Sequence, residues 1–460
     1  MGKRKEKNMI LPRATSGRGF VTPRYSAGAR RFMIVVGGVY LKLVEGVASV
    51  RLHNDAVLLD ELERFYQGDE RMVIAFRHVT KEDAPVIMYA LNKKLQKLIR
   101  LRNKHRKKGE RIVPHARFLY GRDVLNWAGK LAAWLFPRIG CIPVQNRGSN
   151  TNGLNILRKE MREGGFPIAL APEGQVNYHM YQCSPISPGV SSLAMWGTES
   201  SKDVTIIPVA IGYRHSDTPD AFIRSVLTRW EQQTGLRLTT TDTQPILSLL
   251  HEAAVKTVEL LEELYKITST EPSLDLRSRI LAVCENAMQR AEHLAQETPQ
   301  GNLIDRLFHI RYRGVEAVYP ESFNPRDLPP LGRSIADFRA LEAHVYLRHS
   351  QIVDVLQYID PAYIKSPCSA GRASEFALDL LDVINRAQGG NINTRFTPSG
   401  KQALVEIGTP LRVSELFPGG STPSRKARLD RLTKEVFNSL QAVSEHMETH
   451  WEQTVFTSQS

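Results

Sequence analysis

Residues 63–216 predict an α/β fold, a mainly parallel sheet flanked by helices, followed by a large all-helical region and then a further strand. Three observations carry this. Short apolar and β-branched runs recur at MVIAF (72–76), ARFLYG (116–121), CIPVQ (141–145), FPIALA (166–171) and VTIIPVAIGY (204–213). Helix-like or loop segments separate the runs, the alternation expected of a parallel sheet. From 217 to 395 the period changes to about 3.6, and a strand-like stretch, QALVEIGTPLRVSELF (402–417), returns only afterwards.

Taken in order, residues 1–62 open with a basic stretch, MGKRKEKNMILPR, that no long uncharged apolar run follows, as a signal peptide would require. Glu6 stands where a myristoylation signal wants Ser or Thr. The most apolar window, residues 32–50, is interrupted by Lys42 and Glu45 and weakened as a helix by Gly37, Gly38 and Gly46. A spanning helix needs about 20 mostly apolar residues, so no span is expected and a helix lying on a bilayer surface is. Between the first two strands, residues 92–111 hold ten Lys or Arg and one acid, with Leu95, Leu98, Ile99 and Leu101 at roughly helical spacing.

In the helical region, Leu250, Ala254, Val258, Leu261 and Tyr265 line one helix face; Phe338, Leu341, Val345, Arg348 and Ile352 line another less cleanly. Both read as core stripes of a bundle. The strand at 402–417 either starts a new domain or rejoins the first sheet, and an amphipathic helix follows at about 424–447.

The chain of 460 residues is 42% hydrophobic and 24% charged, ordinary for a globular protein, but carries a formal net charge of +13. That balance attracts polyanions: nucleic acid, an anionic membrane surface or phosphorylated small molecules. Cys141, Cys183, Cys284 and Cys368 form no CxxC pair and no metal-ligand spacing, so no metal site is expected and a reduced cytosolic setting fits. Aromatic residues do not interleave with the basic run and no nucleic-acid motif is present, which argues against a nucleic-acid partner.

Two strand ends carry chemistry. After MVIAF comes RHVTKED, with His78 and Asp83 five residues apart. On a regular helix they would lie about 140° apart, but they meet if His78 sits in the loop and Asp83 in the first turn of the next helix. Thr80 three residues before Asp83 suggests a capping-box arrangement, and Pro85 is tolerated early in a helix. Asp83 would then hold one imidazole nitrogen and leave the other as a base. Alone, the pair also reads as an ordinary loop histidine. After FPIALA comes Pro172-Glu173-Gly174, which alone reads as a turn. In a parallel sheet, however, both loops emerge at one carboxyl edge, where open α/β sheets bind ligands.

His78 and Asp83 in RHVTKED, then a Gly and an Arg in IGCIPVQNRG, then APEG, then IIPVAIG resemble, in order and spacing, the four blocks of the glycerophospholipid acyltransferase family, typified by lysophosphatidate acyltransferase. SPGVSSLAM (187–195) resembles the segment between its third and fourth blocks. VEIGTPL with the helix after it resembles its closing strand and terminus. The resemblance implies four segments: a basic N-terminal docking segment (1–62), an α/β acyltransferase core (63–216), a helical insertion (217–395), and a closing strand and helix (396–460). An insertion of this kind predicts a sheet that folds without it.

The activity implied is acyl transfer from an acyl thioester, coenzyme A or acyl carrier protein, to a glycerolipid hydroxyl, with no cofactor beyond that co-substrate. His78 would be the base and Asp83 its orienting group. Gly140 and Arg147 would belong to the second block, Arg147 pairing with the acceptor phosphate. Glu173 and Gly174 would shape the acceptor site, and Pro208 would hold the fourth block near the thioester; the alternative for Pro208 is a strand-edge proline. The protein would lie in the cytoplasm, peripherally on the cytoplasmic face of an anionic membrane, with Trp127, Trp134 and Phe136 either at the interface or in the core.

The chain departs from the family at four places. Arg77 replaces an Asn, Thr80 mildly replaces a Ser, Arg147 falls one residue late, and Gln175-Val176-Asn177 replaces Thr-Arg-Ser, removing a cation linked to the acceptor. Arg77, Lys81, His179 and Arg214 are the candidates to replace that charge. A different acceptor, or a fold retained without the activity, is the alternative reading.

Overall fold

The structure, a computed structural model, describes residues 12–107, 110–145, 151–239, 245–268, 275–418 and 424–457. Its strands are β1 (Val47–His53), β2 (Glu70–Phe76), β3 (Arg117–Gly121), β4 (Ile142–Val144), β5 (Ile168–Leu170), β6 (Asp203–Arg214), β7 (Cys368–Ser369), β8 (Lys401–Ile407), β9 (Leu411–Arg412) and β10 (Val455–Phe456). One mixed sheet runs β1-β8-β6-β2-β5-β3-β4, with β9 on β6. All pairs in it are parallel except β6 with β8 and β6 with β9. The α/β class read from the sequence is therefore the one observed.

Every residue of β2 is buried, because helices cover both faces of the sheet. Period-two alternation then splits the strand between two cores. Met72, Ile74 and Phe76 join Leu58, Leu62 and Val86 on one face, while Val73 and Ala75 join Leu157, Leu193 and Leu440 on the other.

The strand after the helical region rejoins the sheet, β8 lying between β1 and β6. Two features depart from expectation. Residues 1–62 are not one docking segment, since β1 is a strand of the sheet and the next helix, Asp55–Gln67, runs across the 62/63 boundary. As an edge strand, β1 buries few side chains, chiefly Val47 and Val50, and so shows no long apolar run.

The helices at 217–395 also do more than hang from the sheet. Pro219–Thr234, Ile246–Tyr265, Leu276–Ala295, Leu303–Val318, Pro330–Leu356 and Ala370–Ala387 share one core with Val176 and Tyr178, two residues of the loop after β5.

The stripe Leu250, Ala254, Val258, Leu261 is buried as expected. The stripe through Phe338 and Val345 is buried only at its end, at Ile352: Phe338 is 62% exposed, and Ala336, Ala340 and Ala343 face inward instead. Small side chains let this helix approach its neighbours closely. A Cβ on Gly314 of the facing helix would come within 2.6 Å of Leu347.

Candidate active site

β2 ends at Phe76, and Arg77 continues its ladder by donating its N–H to the Val209 carbonyl (3.0 Å). His78 follows in the loop, and the next helix begins at Asp83. His78 Nδ1 lies 3.2 Å from Asp83 Oδ2. A carboxylate only accepts, so Nδ1 carries the hydrogen and Nε2 is the lone-pair nitrogen. Asp83 is fully buried, whereas the His78 side chain is 25% exposed, so the imidazole can meet solvent and the carboxylate cannot.

The expected capping box is half present. The Thr80 N–H donates to Asp83 Oδ2 (2.8 Å), but the Thr80 hydroxyl donates to Asp83 Oδ1 (3.0 Å), while the Asp83 N–H is taken by the Thr80 carbonyl (3.3 Å). Oδ1 also accepts from the Tyr213 hydroxyl at 2.6 Å, a contact the sequence reading missed. Strand parity carries half of the signal for it, and the register between β2 and β6 carries the other half. In β6 Tyr213 shares parity with Val209, which sits opposite Phe76, and so shares His78's side of the sheet. Burial and the Asp83 charge hold the Tyr213 phenol well above its ordinary pKa, so it remains a donor.

The structure brings the two strand ends together. Glu173 Oε1 accepts from the His78 N–H (3.2 Å) and from Arg77 Nε (2.8 Å). Its Oε2 accepts from Asn177 Nδ2 and from the Ser184 N–H (3.3 Å). Asn177 N–H in turn donates to the His78 carbonyl (2.8 Å). Glu173 therefore ties the loop after β5 to the loop after β2, from beneath. Gly174 turns this loop at φ +73° with open space around it, where most side chains would be strained.

Gly140 and Pro208 lie elsewhere. Gly140, at φ +80°, sits at the amino end of β4, three strands from β2, and a Cβ there would come 2.9 Å from Arg117 Nη1. It forms a turn and is not brought beside His78. Pro208 is buried inside β6, opposite Ala75. Its carbonyl accepts the Gly408 N–H (2.9 Å), where the chain passes from β8 to β9, so the missing N–H of proline falls at a gap in the ladder. Arg147 lies outside the described residues.

The candidates for a replacement cation are all engaged. Arg77 is wholly buried, donating to Glu173, to Ser444 Oγ (2.7 Å) and to the carbonyls of Met180, His179 and Gln182. Arg214 donates to the Trp451 carbonyl and lies over that indole. His179 stacks on Tyr363 at 3.9 Å, and burial pushes its pKa down to about 3, so it carries no charge at neutral pH. Lys81, three residues from His78, pairs with Glu45 at 3.3 Å and is 25% exposed.

All four cysteines are free and buried. Among the described residues no group of three His, Cys, Asp or Glu could hold a metal ion, and no helix is long and apolar enough to cross a membrane.

A buried carboxylate beside a partly exposed imidazole, at the carboxyl edge of a mostly parallel sheet, is an arrangement chemically suited to general-base work on a hydroxyl. The family model described as Acyltransferase matches residues 57–212, a span that runs from the helix before β2 to β6 and contains His78, Asp83, Glu173 and Pro208. That segment is similar to the Acyltransferase family, and the match supports acyl transfer as the general activity. No curated protein matches the chain.

Proposed function

We propose that this protein moves a fatty acyl group from an acyl thioester, acyl-CoA or acyl-ACP, to a hydroxyl of a glycerolipid such as 1-acyl-sn-glycerol 3-phosphate. The observation that carries this reading is the His78–Asp83 pair at the strand end of the acyltransferase domain. His78 Nε2 takes the proton of the acceptor hydroxyl as its oxygen attacks the thioester carbonyl. The tetrahedral adduct collapses, the C–S bond breaks, and the leaving thiolate takes the proton back from His78. Asp83 keeps the productive tautomer and stabilises the transient imidazolium. No acyl-enzyme is needed.

The acceptor reading is narrower in support than the reaction. With Arg77 buried and Val176 and Asn177 buried beside it, Lys81, paired with Glu45 and partly exposed, is the nearest cation to His78 in the chain that reaches solvent. An acceptor with a different headgroup from phosphatidate precursors is the second reading.

The membrane reading rests on surface chemistry. Phe32, Val35, Val39 and Leu43 are exposed at helical spacing on Ala27–Leu43, beside Trp127, Leu131 and Trp134. Phe32 and Trp134 meet edge to face at 5.7 Å. Phe136 differs, packing edge-on against Tyr120. The apolar face would enter the headgroup layer of the cytoplasmic leaflet, with Arg31, Lys42 and Lys130 on anionic lipid, each adding about 1 kcal/mol.

The test is thiol release from acyl-CoA or acyl-ACP by purified protein with a panel of lysophospholipids. His78→Ala is expected to lower turnover about 10²- to 10⁴-fold while leaving the urea midpoint unchanged. Unaltered turnover in that folded variant would remove His78 as the base. Flotation with anionic liposomes beside a nucleic-acid gel shift tests the partner surface; retardation of nucleic acid without flotation would reverse that part.

A further inference from the structure

We propose that Tyr213 is a positioning residue of the His78–Asp83 pair, and that Lys401, supplied by the strand that returns after the helical region, holds it there. This rests on the reading of His78 as the base.

The Asp83 carboxylate has four contacts. Oδ1 receives the Tyr213 hydroxyl at 2.6 Å and the Thr80 hydroxyl at 3.0 Å; Oδ2 receives the Thr80 N–H at 2.8 Å and His78 Nδ1 at 3.2 Å. Thr80 lies in the same loop as the pair and moves with it. Tyr213 does not: it projects from β6, buried and 130 residues away in sequence, and is the contact that fixes the carboxylate relative to the sheet. With these donors in place, the carboxylate has one direction left, towards the imidazole.

Tyr213 is itself braced. Lys401, 2% exposed at the start of β8, places its ammonium 5.0 Å from the centre of the phenol ring and pairs with Glu82, the residue before Asp83. Residues 82 and 83 are thus each gripped by one of two side chains that touch one another. A small cavity, ≈ 30 Å³, lies against this group, lined by Thr80, Glu82, Tyr213 and Lys401 on one side and Glu375 and Arg395 on the other. It has room for about one water.

The phenol also sets charge. By donating to the Asp83 carboxylate, it draws part of the negative charge away from the oxygen that faces His78. The other charged groups near His78 are the Arg77–Glu173 pair under its backbone, Lys81 with Glu45, and Glu82 with Lys401. Removing the hydroxyl alone alters none of them.

The experiment follows the His78 ring by NMR in histidine-labelled full-length protein, its signal assigned by its loss in His78→Ala. Tyr213→Phe is expected to raise the His78 titration by about half a pH unit or more. Turnover is expected to fall about tenfold with KM within about twofold, and the acidic limb of the pH–rate profile to move up by the same shift. Should the Phe variant fold poorly, 3-fluorotyrosine at position 213 keeps the ring and strengthens the donor, and the titration is then expected to move down. An unmoved titration in the folded Phe variant, or in the fluorotyrosine protein, overturns the proposal. The titration needs no turnover, so wild-type protein without acyl transfer would defeat the functional reading while this result still decides the role of Tyr213.

Discussion

Arg77 and His78 are neighbours in the chain and face opposite sides of the sheet, because successive residues of an extended strand alternate. His78 turns to the side of Phe76, whose ring it approaches at 6.4 Å, and remains open to solvent. Arg77 turns under the long closing helix, Arg425–Trp451, and spends every donor group on Glu173, Ser444 and three carbonyls. A fork-shaped cation so satisfied cannot also read a substrate phosphate. His179 shows burial acting on charge. Its imidazole stays neutral in the folded chain down to about pH 3, whereas the unfolded chain takes up a proton near pH 6.5. Stability is therefore lost as pH falls below that value. Between pH 7 and pH 5, wild type is expected to lose about 2 kcal/mol relative to His179→Phe, read from urea midpoints at the two pH values. Parallel midpoints would mean that the imidazole is protonated where it sits.

Among the elements, the strands from β2 to β6 were legible because they are short, apolar and bounded, and β2, β5 and most of β6 are buried on both faces. The helix Pro330–Leu356 was legible as a helix but not by face. Its large residues suggested a core stripe through Phe338 and Val345, yet the buried side carries Ala336, Ala340 and Ala343. Close helix packing selects small side chains at the contact, and a hydrophobic pattern alone weights the large ones. Phe338→Ala is accordingly expected to change stability by no more than about 0.5 kcal/mol. Ala340→Leu is expected to lose about 1–3 kcal/mol by overpacking. Denaturant titration of the two variants separates the faces, and the reverse ranking would restore the larger stripe. β1 was missed for a related reason: an edge strand with a half-exposed face lacks the run that marks a central one.

For the whole molecule, the helical region is wired into the loop after β5. Gln175 Nε2 donates to the Tyr358 hydroxyl (2.7 Å), Tyr178 donates to Asp354 (3.2 Å), and the Met180 N–H donates to Glu375 at 2.9 Å. Arg386, fully buried, joins Tyr178 to Asp354 and Asp382. Deleting 217–395 would strip these partners from a loop whose Glu173 supports His78. The expected outcome, against the separable sheet anticipated from sequence, is a chain without a cooperative urea transition, followed by circular dichroism. A sharp transition in the deleted protein would show the two parts to be independent.

The sequence by itself determined the order of the central elements: which runs between 72 and 213 are strands, that His78 and Asp83 flank a loop and helix start, and that a strand returns after the helices. Periodicity and local caps carry that information within a few residues of one another. Only the tertiary structure decided that Glu173 lies beneath His78, that Arg77 is sealed away, that Gly140 is a turn three strands from β2, and that Tyr213 and Lys401 reach Asp83 and Glu82. Each of those facts depends on the lateral order β8-β6-β2-β5 and on which side of the sheet a residue faces relative to a distant strand. Spacing along the chain does not encode lateral order; burial of both sheet faces, with each charge finding a partner, does.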